Sequence, residues 1–207
     1  MHEHIRNFTT FAGIVEGVLF SLHFMCQTNK FLDMNAVIEN MKTRRSVRGF
    51  NPSKMPADNL IDEVIEAGMY APTGRGMQSP IIIKVTDKET RDMLSKMNAS
   101  IKGADTDPFY GAPVVLVVLA DKTKPTYIYD GTLVMGNLLN AAHAVGLGSC
   151  WIHRAKEEFD SKEGKELLKK LGIVGDYEGI GHCVLGYALP GCTAECRPRK
   201  ENYVYSI

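Results

Sequence analysis

The 207-residue sequence has no surplus of either charge: 24 Lys and Arg stand against 24 Asp and Glu. A neutral chain sets up no global field to attract nucleic acid or an anionic membrane, so any bound anion must be held by a local group of cations. The place of each arginine is then more informative than the total. Cysteine is sparse. The five thiols, Cys26, Cys150, Cys183, Cys192 and Cys196, are an odd number without Cys-x-x-Cys spacing, which argues against a disulfide scaffold. Cys192 and Cys196 with His182 could form a soft-metal site, but four ligands at zinc spacing are lacking. No metal is expected, and reduced thiols fit a cytoplasmic protein. A long hydrophobic run is lacking too. Phe11 to Cys26 is interrupted by Glu16 and His23 and is shorter than the roughly 20 residues of a membrane span; Glu16 also spoils it as a signal peptide. There is no G-x-G-x-x-G loop after a strand, no Walker A loop and no G-x-S-x-G elbow. Without an evident nucleophile or metal site, catalysis would fall to a bound cofactor.

What is present reads as one globular domain, with 44% apolar and 23% charged residues. Residues 1–33 differ from the rest. Either Met34 is a natural start, or the leader is an extra helix over an apolar surface, so the expected division is an atypical extension over 1–33 and a domain over 34–207. Asn35 to Lys42 carries Val37, Ile38 and Met41 at helical spacing behind an Asn35 cap. Pro56 to Tyr70 repeats the pattern with Pro56 in a first turn. Pro80 to Val85 and the wholly apolar Pro113 to Ala120 read as strands, the second covered on both faces. Thr126 to Val145 is a long, nearly apolar helix, ended by Gly146-Leu147-Gly148; a short strand follows to Ile152. Ser161 to Leu171 is an amphipathic helix and Gly181 to Ala188 the last strand. Helices and strands mix without a βαβ rhythm, which predicts an α+β sandwich around one mixed sheet.

Four stretches could carry chemistry. Arg44, Arg45 and Arg48 crowd around Ser46, and like charges so close favour an anion beside them; forked guanidinium donors and a hydroxyl suit a phosphate. The same cations could instead be a solvated cap on a helix C-terminus. Ala71 to Pro80, with Pro72, Thr73, Gly74, Gly76 and Gln78, is either a rigid loop that lets a flat ligand approach the backbone or a plain connection. Gly146 to Arg154 combines small residues with Ile152, His153 and Arg154 at a strand end, where N–H groups can point at a ligand. No carboxylate partner marks His153 as a general acid. Arg197, Arg199 and Lys200 form a second basic cluster that folding could bring to the first.

In this order the segments resemble the nitroreductase family of flavoenzymes, from about Met34 to Lys200. The carriers are Arg44-Arg45-Ser46-Val47-Arg48 with Phe50, the Ala71 to Gln78 loop, Ala112-Pro113, Gly146-Leu147-Gly148-Ser149-Cys150-Trp151, Leu185-Gly186-Tyr187 and the basic tail. The resemblance implies a nitroreductase-like sandwich: a mixed, mainly antiparallel sheet flanked by helices in an interlocked homodimer, with FMN at the subunit interface. It implies that Arg44 and Ser46 with Arg197 and Arg199 bind the FMN phosphate and ribityl chain, that Arg45 also belongs to the cofactor site, and that Arg48 approaches the pyrimidine side. Pro72, Thr73, Gly74 and Gly76 would line the ring from the partner subunit, and Gln78 would also belong to the cofactor site. Backbone N–H groups around Ile152, His153 and Arg154 would face flavin N5 and O4. Hydride would pass from NADH or NADPH through FMN to a nitro compound, quinone or similar acceptor in a ping-pong reaction, with the flavin and no catalytic side chain carrying it. A flavin-binding protein for storage or sensing is the alternative. Gly76 stands where the family has Asn, Ser79 precedes Pro80 where Pro and an aromatic are usual, and Lys102 is a candidate cation near flavin O2. The short stretch between Val85 and Pro113 suggests an open pocket without the substrate-covering insertion of larger members.

Overall fold

The computed structural model describes residues 35–207, so the expectations for residues 1–33 lie outside the described residues. The chain divides into two units, Met1–Thr43 and Arg44–Ile207. In the first, residues 35–43 form helix α1, which includes Asn35, the expected cap. Its Thr43 hydroxyl donates to the Glu39 carbonyl at 2.6 Å.

The second unit contains, in chain order, α2 (Asp58–Met69), β1 (Pro80–Val85), α3 (Lys88–Lys102), β2 (Val114–Asp121), α4 (Tyr127–Ala144), β3 (Gly148–Ile152), α5 (Ala155–Asp160), α6 (Lys162–Lys170) and β4 (Tyr177–Gly186). The strands form one sheet in the order β1-β2-β4-β3, each pair antiparallel. An isolated parallel bridge between Ser46 and Ser149 makes the arrangement mixed but mainly antiparallel, as expected. β2 is apolar from Val114 to Ala120 because both of its faces are covered there. Val115, Val117 and Leu119 face a core with Phe50, Leu94, Phe109 and Phe159. Val114, Leu116 and Val118 face the opposite core with Ile61, Val64, Met135 and Leu138. The long helix α4 buries one stripe and leaves Ile128, Tyr129 and Leu133 at 47%, 72% and 46% exposure.

Four details depart from the sequence pattern. α2 starts at Asp58 because Ala57 is still extended at ψ 143°, so Pro56 precedes the helix and lies outside its first turn. β4 begins at Tyr177, ahead of the expected Gly181, since a bulge pairs Val118 with Gly181 but Leu119 with Gly179 and so hides the alternation. Gly179 is needed there: a Cβ would lie 2.2 Å from the Ala155 carbonyl oxygen, where α5 rests on β4. Helices α3 and α5 are the remaining differences. Signals for α3 do exist, an Asp87 carboxylate that accepts from the Thr90 amide at 2.8 Å and Gly103 at φ 68°.

The segment after α3 is pinned through Asp107. Buried Arg91 donates to the Ala112 carbonyl and to Asp107, whose carboxylate also accepts from Ser95 Oγ at 2.6 Å and from the Phe109 and Gly111 amides. Burial would push this carboxyl up, but Arg91, Ser95 and the two amides outweigh it and hold it below its ordinary value. Replacing Asp107 by Ala should cost about 2 kcal/mol of stability at neutral pH. A depressed carboxylate contributes fully above its unfolded value of about 3.9 and loses that contribution as pH falls through the folded value. The urea midpoints of wild type and Asp107→Ala should therefore differ at pH 7 and converge in acid.

Candidate functional site

The basic segment is a strap that extends the sheet beyond β3. Directly after α1 the backbone turns extended, and the Val47 amide donates to the Ser149 carbonyl at 2.9 Å. On its other side the Arg48 amide donates to the Cys192 carbonyl at 2.8 Å and the Ala194 amide to the Ser46 carbonyl at 3.0 Å. The Phe50 amide donates to Tyr110 and the Asn51 amide to Tyr187. Gly49 lets the tail approach so closely, because a Cβ there would lie 2.4 Å from Cys192 Sγ.

The seam brings the second basic cluster toward the first, since Ala194 lies three residues before Arg197. Arg197 and Arg199 are exposed, and Arg199 is steadied by donating to the Arg197 carbonyl at 3.1 Å. Arg45 donates to the Arg44 carbonyl at 2.7 Å. Arg44 differs from its neighbours: its Nη1 is buried and has no hydrogen-bond partner. Between the strap and β3 lies the Cys150 thiol. Burial pushes its pKa up, and the nearby Arg48, Ser46 and Arg44 offset that only in part.

At its far end β3 runs into a tight turn. His153 is exposed, and Arg154 takes a left-handed conformation at φ 77°. Ile152 is buried beside them. Lys102 meets this turn: with Tyr110, Trp151, His153 and Arg154 it lines a cavity of about 230 Å³.

The loop expected to touch a flat ligand is rigid but lies elsewhere in the chain. Asp130, 2% exposed on α4, accepts from the Gly74 amide at 2.9 Å, from Ser79 Oγ at 2.8 Å and from Thr126 Oγ1 at 3.1 Å. The Gln78 amide donates to Thr73 Oγ1 at 3.1 Å. Pro72 and Gly76 are exposed beside them. This loop leads into β1, at the opposite edge of the sheet from β3. Four strand spacings, three to β3 and one more to the strap, put it about 19 Å across from the strap. It is displaced along the strands as well, since β1 begins opposite Ala120 and Glu178 while Ser149 pairs with Leu185. One chain therefore unites Arg44, Arg45, Ser46 and Arg48 with β3, its turn and the tail, but not with the 72–78 loop.

The sequence reading missed Asp130, Asn98 and Glu158, and weighed His182 only as a soft-metal ligand with Cys192 and Cys196. Asp130 had a signal, as an acid set in an otherwise apolar helix and therefore in need of partners. Asn98, Glu158 and His182 are wholly buried. Asn98 Nδ2 donates to the His153 carbonyl at 2.8 Å and to Glu158, and its Oδ1 accepts from Arg154. His182 Nε2 lies 3.1 Å from Glu158 Oε2, although neither ring nitrogen makes an aligned hydrogen bond. Among the described residues no group of three or more His, Cys, Asp or Glu could hold a metal ion, and no helix is long and apolar enough to cross a membrane.

Comparison with known proteins agrees with this architecture. The family model described as the nitroreductase family matches residues 41–187. A protein of Methanothermobacter thermautotrophicus, provisionally named NADH dehydrogenase/NAD(P)H nitroreductase, is 30% identical over 56% of this chain, and the match spans 59% of that relative's length, under two thirds. The FMN reductase [NAD(P)H] of Bacillus subtilis is 32% identical over 72% of this chain and 66% of its own. The crystal structure of a nitroreductase with bound FMN from Bacteroides fragilis superposes with a TM-score of 0.74 at 24% identity, over 83% of this chain and 98% of that one.

The seam makes a prediction about thiols. Cys150 and Cys183 are buried and their pKa values are pushed up by burial, whereas Cys196 is exposed. Alkylation of the folded protein at neutral pH should modify Cys196 and leave Cys150 and Cys183 intact, because only an accessible thiolate reacts. Mass spectrometry reads the order, and equal labelling of Cys150 and Cys196 would contradict a closed seam.

Proposed function

Because the chain belongs to the nitroreductase family, we propose that it binds FMN and passes hydride from NADH or NADPH to a nitro compound, quinone or similar small acceptor. The observation that carries this reading is Arg44 Nη1. A buried donor left without a partner costs on the order of 1–3 kcal/mol, and a phosphate oxygen beside it would remove that cost. The donor set fits the group: forked guanidinium N–H, a Ser46 hydroxyl and further arginines on an adjoining tail match a phosphate monoester.

Each residue then has a task. Arg44, Arg45 and Ser46 on the strap, with Arg197 and Arg199 on the tail, hold the phosphate and ribityl chain. Arg48 is assigned to the pyrimidine side, where a cation favours negative charge on the ring. The N–H groups after Ile152, at His153 and Arg154, are assigned to the ring edge. FMN, when bound, supplies hydride acceptance and donation; the chain supplies placement and charge. If donor and acceptor occupied this site in turn, the reaction order would be ping-pong.

A second copy of the chain completes the site. The rigid Pro72, Thr73, Gly74, Gly76 and Gln78 loop lies too far from the strap of its own chain to share a ligand with it, so we assign it to the flavin of the partner. Exposed apolar side chains support such a homodimer: Met69 and Tyr70 at the end of α2, and Tyr129 on α4, are each at least 72% exposed. We take residues 34–207 as the flavin-binding unit, residues 1–33 as an extension, and the cytoplasm as the location.

Purified protein reconstituted with FMN should show flavin absorbance near one FMN per subunit and oxidise NADH or NADPH in the presence of menadione or a nitroaromatic. Arg44→Ala should weaken FMN binding at least about ten-fold. Unchanged flavin retention in that variant would remove the phosphate assignment. A yellow protein that oxidises neither nucleotide would leave flavin binding without turnover.

A further inference from the structure

We propose that Asn98 is a positioning residue that, through the Arg154 side chain, clamps the turn between β3 and α5 and so aims the His153 and Arg154 N–H groups at the flavin edge. The proposal rests on the FMN reading above. Its starting point is strain. Arg154 sits at φ 77° and ψ 10°, a left-handed conformation that is strained for a residue with a Cβ. Such outliers persist where surrounding contacts over-determine them.

Asn98 supplies those contacts. It is 0% exposed on α3, where an apolar side chain would be the ordinary choice. Its Oδ1 accepts from both Nε and Nη2 of Arg154, at 3.0 and 2.7 Å. Its Nδ2 donates to the His153 carbonyl at 2.8 Å and to Glu158 in α5. One amide therefore grips the turn at its main chain, its side chain and the helix that follows.

An amide suits the place better than a carboxylate. Aspartate could accept from Arg154 but could not donate to the His153 carbonyl, and its charge would repel the buried Glu158. A neutral partner also leaves the Arg154 charge uncancelled, and among the described residues no carboxylate pairs with it. The clamp thus fixes two N–H groups and a cation in one rigid unit, which stabilises negative charge on a ring bound there.

Asn98→Ala and Arg154→Gly, alone and together, test this. Glycine accepts φ 77° without strain, so Arg154→Gly keeps the test open if Asn98→Ala, which strands Glu158, does not fold. Hydrogen exchange of the 153–155 amides in the flavin-free protein reads the turn, fluorescence titration reads FMN affinity, and dithionite titration reads the midpoint potential of the bound flavin. Expected are faster exchange at 153–155 and FMN affinity lower by about ten-fold or more in both single variants. The midpoint potential should fall, and the double variant should be no worse than the worse single one, because both changes break one unit. Wild-type FMN affinity and potential in Arg154→Gly would overturn the proposal, as would a lowered unfolding midpoint with unaltered potential. A wild type that takes up no FMN would overturn the flavin reading itself and this proposal with it, whereas a wild type that binds FMN beside unaffected variants overturns the clamp alone.

Discussion

The strap lying along β3 is the contact on which the candidate site depends. β3 is an edge strand, and its open side needs covering against wrong pairing. The chain covers it with its own basic segment: the Val47 amide bonds to Ser149, and the tail pairs with the strap in turn. A structural need, closing an edge, thereby fixes Ser46 and Arg48 through main-chain hydrogen bonds. Phe50 anchors the far end of the strap, wholly buried in the same core as β2 and α5.

Charge is partitioned in the same way. The chain is neutral, yet its buried or half-buried acids are consumed by internal tasks. Asp107 holds Arg91 and a loop, Asp130 holds the 73–79 segment, and Glu158 is turned toward Asn98 and His182. Among the described residues, Arg154 in the β3 turn pairs with the neutral Asn98 amide and with no carboxylate. A neutral protein can therefore present a locally positive site.

Which parts of this are legible in sequence follows from whether a residue's role repeats. β1 and β2 are legible because each is an apolar run entered from a proline, and α6 because a Ser161 cap precedes an amphipathic stretch. The start of β4 is obscured by the bulge at Ile180, and α3 by its many charged residues around Leu94 and Met97. The site divides likewise. Arg44 to Arg48 and Gly146 to Trp151 stand out as ordered motifs, but that the 72–78 loop lies at the far sheet edge is a fact of topology, invisible until strand order is known. Asn98 is one polar residue in a polar helix, and only its burial reveals it. The cavity beside Lys102 is similarly a product of where α3 ends.

The hydrogen bond between Ser46 and Ala194 joins residues separated by most of the described chain. Nothing local can form it, since the strap has no partner until β3 has been made and the tail none until the sheet has closed. During synthesis the arginines of the strap therefore leave the ribosome long before the tail that would cradle an anion with them. A ligand that needed both the strap and the tail would therefore have to wait for that contact, and could not serve as the nucleus of the fold.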